Sequence, residues 1–188
     1  MKQNRLIRYT IWGILIICPW ILTSCDMFHE DLPECRLFVK FKYDYNMLFT
    51  DAFHTQVDKV ELYVFDKDGK FLFSQVEEGE ALATGNYQME VKLPIGEYQF
   101  LAWAGARDSY DIYTPRGENT ITDMRLRLKR EESLIISKEL EPLWYGYISD
   151  VDFTGTSHQT ETIDLIKDTN KIRFVFQGYS DSYIRATS

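Results

Sequence analysis

Apolar and polar residues alternate with period two through most of the chain after residue 35, and this alternation limits the fold more than any other feature. In "RLFVKFKYDY", Leu37, Val39, Phe41 and Tyr43 lie on one side, and Arg36, Lys40, Lys42 and Asp44 on the other. In "YQMEVKL", Tyr87, Met89, Val91 and Leu93 oppose Gln88, Glu90 and Lys92. Residues two apart in an extended chain project the same way, so each segment is expected to be a strand with one buried face. Further runs begin at Val57 ("VDKVELYVFD"), Lys70 ("KFLFSQV"), Glu97 ("EYQFLAWA"), Met124 ("MRLRLKR"), Glu161 ("ETIDLIK") and Lys171 ("KIRFVFQ"). Turns separate them. Asp66-Lys67-Asp68-Gly69 suits a tight hairpin because Gly69 takes positive φ at little cost. In Leu93-Pro94-Ile95-Gly96, Pro94 fixes φ and ends ladder donation. Many short strands at this interval predict an all-β chain of sandwich type, with about seven strands.

Two stretches depart from the pattern. "YNMLFTDAFHTQV", Tyr45 to Val57, offers a helical alternative that Asn46 could cap. "GARDSYDIYTPRGENTI", Gly105 to Ile121, is polar, holds no sustained period and is expected to be a long loop, where binding often resides.

The N-terminus carries a different signal. Ile11 to Leu22 is an apolar run of 12 residues, interrupted by Gly13 and Pro19 and preceded by Lys2, Arg5 and Arg8 with no acid among them. A bilayer core needs about 20 apolar residues, so an export signal fits better than an uncleaved anchor helix. The end of the run, "Leu22-Thr23-Ser24-Cys25", resembles the lipobox of bacterial lipoproteins, in which the signal is cut before a cysteine that becomes acylated. That resemblance implies residues 1–24 as a lipoprotein signal peptide and Cys25 as the lipid-bearing N-terminus. Residues 25–35 then form a tether, with Asp26, Glu30 and Asp31 either a surface-export element or a solvated linker. One acyl chain holds a protein only marginally, whereas several, at about 0.8 kcal/mol per buried methylene, hold it essentially for good.

Removing the signal takes three of the 21 basic residues and leaves 18 against 29 acidic ones, a net charge of −11. Such a surface makes nucleic acid an improbable partner. Of the three cysteines, Cys18 leaves with the signal and Cys25 is the lipid site, so Cys35 has no partner in the remaining chain. In an oxidising compartment it would be a buried or unpaired thiol, or form a disulfide to another chain or to a missing part of this one. His29, His54 and His158 are scattered without ligand spacing, and no metal or cofactor is expected.

Catalytic signatures are wanting. Asp66-x-Asp68-Gly69 echoes the opening of a calcium loop, but Val64 and Gln75 occupy positions where ligands should stand. No nucleophile elbow, phosphate-cradling glycine loop or zinc signature occurs, so the chain is not expected to be an enzyme. Aromatic residues make up 15% of it, notably Trp103 in "LAWAG" and Trp144, Tyr145 and Tyr147 in "LWYGYI". They either fill a sandwich core or, if exposed, form a platform for sugar rings.

Four segments together carry a wider resemblance: Cys25 followed by "EDLPEC" (Glu30 to Cys35), "FVKFKYDYNM" (Phe38 to Met47), "VDKVELYVFDKDGKF" (Val57 to Phe71) and "LPIGEYQFLAWAG" (Leu93 to Gly105). In their order and spacing the chain resembles the FimB/Mfa-type fimbrial anchor lipoproteins at the base of type V pili. The resemblance implies two transthyretin-like β-sandwiches: an N-terminal one over 36–160, and a second, truncated one that begins over 161–188, with "TNKIRFVFQ" as its opening strand. It also implies a surface-facing lipoprotein of the outer membrane that attaches the pilus and limits its length. Its partners would be pilin or fimbrial subunits, met through β-strand contact. The alternative function is a surface lipoprotein that binds glycan through Trp103 or Trp144. A lone opening strand bearing Ile172, Phe174 and Phe176 would, from about Asn170 onward, be loosely held or lean on the first domain.

Overall fold

The structure is a computed structural model that describes residues 35–115, 117, 119–130, 136, 138–172 and 175. Cys25, the apolar run 11–22 and most of "KIRFVFQ" lie outside the described residues. Within these, no helix is long and apolar enough to cross a membrane.

The alternating segments do become strands. β1 (Leu37–Lys42) is the middle strand of a three-stranded sheet. It pairs antiparallel with β4 (Met89–Val91) and parallel with β9 (Gln159–Asp164). A five-stranded sheet runs in the order β10 (Ile166–Lys167), β8 (Trp144–Phe153), β5 (Gly96–Ala104), β2 (Lys59–Asp66), β3 (Phe71–Glu78), with every neighbour antiparallel. A separate pair joins β6 (Tyr110–Tyr113) and β7 (Arg125–Leu128).

The two larger sheets face each other across one core. Leu37, Val39 and Phe41 of β1 meet Val60, Leu62 and Val64 of β2, with Phe100 and Ala102 of β5 and Trp144, Val151 and Phe153 of β8. Those are the inward residues that the period-two pattern selects. The β2–β3 hairpin forms where the sequence places it. Asp66 Oδ1 accepts from the Asp68 and Lys70 amides at 3.0 and 2.8 Å, and Gly69 sits at φ 80°. The Asp66 carboxylate that echoed a calcium ligand is spent on this turn.

Four findings depart from expectation. Ten strands are present among the described residues rather than about seven. The 105–121 segment is not a plain loop, because it contains β6. The helical alternative over 45–57 shrinks to a single turn, α1 (Phe53–Gln56). Asn46 caps a non-helical turn instead, accepting from the Leu48 amide at 2.7 Å and donating to the Tyr43 and Thr50 carbonyls.

The fourth concerns the boundary at 160/161, which falls inside β9. Glu161 to Asp164 pair with β1 from Val39 to Lys42, so this run belongs to the first sandwich. At Leu165 the chain then crosses to the other sheet. Leu165 is buried, its amide bonds the Lys42 carbonyl at 2.7 Å, and Ile166 and Lys167 pair with Tyr145 and Trp144 of β8. This crossing closes one side of the sandwich.

Candidate interaction surfaces

β2 reads Leu62-Tyr63-Val64-Phe65 in its middle, and four consecutive large apolar residues cannot all point into one core. Tyr63 and Phe65 project to the outer face of the five-stranded sheet, where Leu101 and Trp103 of β5 and Tyr145 of β8 join them. The β6–β7 pair and the short 3-10 turn Ile121–Asp123 cover this face through Ile112, Ile121 and Met124. The turn is held by a capping box between Thr120 and Asp123, and the cover is stitched to the hairpin by the Ile121 amide on the Gly69 carbonyl at 2.7 Å. The polar segment expected to bind something is therefore a third layer that seals an aromatic face. Burial, with Glu61 nearby, pushes the Tyr63 hydroxyl far above the usual tyrosine range.

The cover decides what the aromatic residues can do. Trp144 is 2% exposed and lies in the main core, edge-on to Tyr43 at 5.9 Å. Trp103 is half-buried beneath the cover, with its ring 4.8 Å from Tyr145 and its indole nitrogen shut off from solvent. Of the four rings singled out in the sequence, Tyr147 alone is exposed, at 41%, and its hydroxyl is engaged by Gln99 at 2.6 Å. Neither tryptophan offers a flat face to a sugar.

Strand edges remain. β4 spans three residues and receives the Gln75 side chain on its Glu90 carbonyl. β10 spans two, and β9 is closed against β8 where Gly146 meets Ile163 and Leu165. β3, with eight residues, is the long free edge. The Gly79 amide bonds the Asp58 carbonyl at 2.9 Å, which fixes the phase of the β2–β3 ladder. By the alternation of antiparallel pairing, Ser74 and Val76 then direct their N–H and C=O groups away from β2, toward solvent. Leu72 and Val76 are exposed beside them. A bridge between Lys70 and Thr120 ends this free edge at its first residues. At the far end, Arg107 holds both Glu78 at 2.7 Å and Asp58 at 3.0 Å, which ties the end of β3 to the residue before β2 at the open end of the hairpin.

The two poles of the sandwich differ in chemistry. At the pole where β1 begins, Cys35 is a free, exposed thiol that donates to the Gly155 carbonyl at 2.7 Å. At the pole where β1 ends, the loop 44–49 borders a groove of about 820 Å³ shared with Ile166, Lys167 and Asn170. A second groove, of about 1000 Å³, runs between β7 and the segment 140–143, with Arg127 and Arg130 on its rim. The chain after β10 does lean on the sandwich: the Asp168 amide bonds the Leu143 carbonyl, Thr169 Oγ1 accepts from the Leu143 amide, and Lys171 pairs with Glu139. Among the described residues no group of three metal-ligating side chains converges.

Comparison with known proteins bears on what such a surface serves. Residues 32–188 match the family model described as fimbrillin-A associated anchor proteins Mfa1 and Mfa2. The minor fimbrium anchoring subunit Mfa2 of Porphyromonas gingivalis is 27% identical over 129 residues, covering 66% of this chain and 40% of its own length. A crystal structure from Bacteroides thetaiotaomicron, described as a candidate polysaccharide-binding protein, is 70% identical with a TM-score of 0.68, over 71% of this chain and 48% of that one. A candidate adhesin from Bacteroides ovatus is 33% identical with a TM-score of 0.66, over 78% and 50%. The chain thus spans about half the length of the relatives it matches.

Proposed function

Since the chain belongs to the family of fimbrillin-A associated anchor proteins Mfa1 and Mfa2, we propose that it is a lipid-anchored structural subunit that fastens a type V pilus to the outer membrane and limits its length. The observation that carries this reading is the family match, which runs through the whole described sandwich. The family is one of fimbrial anchor subunits, not of enzymes. In the proposed arrangement Cys25 carries the lipid, and the ten residues from there to Cys35 span at most about 35 Å, enough to stand the sandwich clear of the headgroups. A fimbrial subunit pairs with β3, whose outward peptide groups accept a strand without disturbing the β2 ladder. A subunit joined on one side only terminates the series, and this supplies the limit on length.

Replacing Cys25→Ala in the producing cells tests the anchor. Pili should then be shed into the medium and the retained ones should be longer. Pili that stay attached at normal length would refute it.

A further inference from the structure

We propose that the free edge of β7 and the groove beside it bind an extended peptide in which acidic and apolar residues alternate. The site is separate from the β3 edge and does not depend on what β3 receives.

The ladder sets which backbone groups are offered. β7 has β6 on one side only. The Lys129 amide bonds the Ser109 carbonyl at 2.9 Å, so these two form a hydrogen-bonded pair, and by alternation so do Arg127 with Asp111 and Arg125 with Tyr113. Leu126 and Leu128 therefore turn their N–H and C=O groups away from β6, and among the described residues nothing meets them. Both leucines line the groove of about 1000 Å³ on that side, a volume at the upper end of ordinary ligand sites. The groove is built rather than slack. Tyr110, opposite Leu128 on β6, is buried and donates its hydroxyl to the Glu141 carbonyl at 2.6 Å, which ties the β6–β7 pair to the segment forming the far wall.

Alternation also sets the chemistry of the occupant, because the side chains of an added strand fall in line with those of its neighbour. On one face they meet Leu126 and Leu128, with Leu140 and Leu143 across the groove, and are favoured when apolar. On the other they meet Arg125, Arg127 and Lys129 and are favoured when acidic. Arg125 is engaged by the Thr122 and Met124 carbonyls and Lys129 by Asp111. Arg127 only lies over the exposed Tyr113 ring, and Arg130 has no partner among the described residues, so two guanidiniums on the rim are left for carboxylates. Four cations within residues 125–130 reverse the sign of a chain with 29 acidic and 21 basic residues, which selects an acidic partner. The leucine floor, and Asp168 on the far wall, disfavour a polyanion with charge on every side. A bilayer is distant: Asp168 follows β10 at the pole where β1 ends, and Cys35 precedes β1, about 20 Å away for six strand residues.

A fluorescein-labelled peptide, acetyl-Asp-Leu-Glu-Leu-Asp-Leu-amide, tests this by anisotropy against this chain, with amide exchange read by NMR. Binding should be saturable and should protect the Leu126 and Leu128 amides while leaving that of Arg127, already bonded to β6, unchanged. Replacing the acids of the peptide by lysine, or N-methylating the residues that face β7, should each weaken binding at least about tenfold with the protein untouched. Arg127→Gln with Arg130→Gln should do the same. Absence of saturable binding would overturn the proposal, and so would full affinity of the N-methylated peptide, which would leave charge alone as the cause. Displacement of the peptide by polygalacturonate at equal affinity would make the site one for polyanions. Protection of Ser74 and Val76 instead would move the peptide to β3, and protection of Leu126 and Leu128 before any peptide is added would show the β7 edge already taken. Each of these three results overturns the proposal as well.

Discussion

Gly146 is where the sandwich closes, and replacing it with alanine tests that closure directly. A Cβ built there lies 2.4 Å from Ile163 Cγ2, 2.8 Å from the Asp164 carbonyl oxygen and 3.0 Å from Leu165 Cδ2. One of these contacts is backbone, and the other two belong to buried side chains at the point where β9 gives way to β10. The methyl can therefore be accommodated only by moving the crossing strand outward. Overpacking of this kind costs about 1–3 kcal/mol, which for a chain of this size lowers the melting temperature by roughly 2–12 °C. Gly105→Ala provides the harsher comparison. Its φ of 73° is unfavourable for alanine, and the Cβ would sit 2.1 Å from the Pro142 carbonyl oxygen and 2.8 Å from the Trp144 ring. Adding about 1–2 kcal/mol for the left-handed backbone to the packing cost ranks it as the more damaging change. Urea unfolding followed by tryptophan fluorescence measures both, since Trp103 and Trp144 report on the two buried layers. If Gly146→Ala unfolds at the wild-type urea concentration, the sheets do not meet at that point and the account of the crossing at Leu165 is wrong.

Other outcomes follow from the same geometry. Ser74→Pro removes an outward amide from β3 but none from the β2 ladder, so it should leave folding intact and abolish co-purification of fimbrial subunits. Because burial raises the Tyr63 pKa, its neutral form stabilises the fold fully below the unfolded value near 10, and that contribution is lost as pH rises above it. Tyr63→Phe should accordingly flatten the decline in urea midpoint between pH 9 and pH 11; an unchanged decline would place that tyrosine in water. Arg107→Gln breaks two half-exposed ion pairs and should cost about 1 kcal/mol at low salt, with the difference shrinking in 1 M NaCl. Acrylamide should quench Trp103 and Trp144 weakly, and polysaccharide should not move their emission. A shift on adding glycan would expose a platform that the cover over β5 and β8 leaves no room for.

How far the sequence led depends on the range of the interaction. β1, β2 and β5 were legible because their periodicity is local, and the Asp66–Gly69 turn because its chemistry is contained in four residues. β6 was not, since the alternation of Tyr110 and Ile112 spans only four residues of a polar stretch, too short to stand out. Its signal lay elsewhere, in the unbroken apolar middle of β2, which requires cover on both faces. The parallel pairing of β9 with β1 joins residues more than 120 positions apart, and nothing in "ETIDLIK" records which sheet it enters. For that reason a boundary at 160/161 cuts β9, whose residues 161–164 pair with β1. The β3 edge was visible as a strand, but its freedom is a property of sheet order and needs the whole topology.

Sealing the outer face has a consequence for how this fold can recognise anything. With Tyr63 and Phe65 buried beneath the cover and the other face of the sheet in the main core, the flat surfaces of the five-stranded sheet leave little apolar area in water beyond Leu72, Val76 and Tyr147. Among the described residues the β3 edge presents backbone groups and the 45–49 loop presents apolar side chains, while the groove beside β7 is rimmed by Arg127 and Arg130. The β3 edge and the loop lie on different elements and draw on different physics, so they should fail separately. Ser74→Pro should abolish subunit capture without altering exchange in the loop, whereas Phe49→Asp should leave capture by the edge intact. If either substitution impaired both properties, the edge and the pole would form one continuous interface, and the division of labour argued from their placement would not hold.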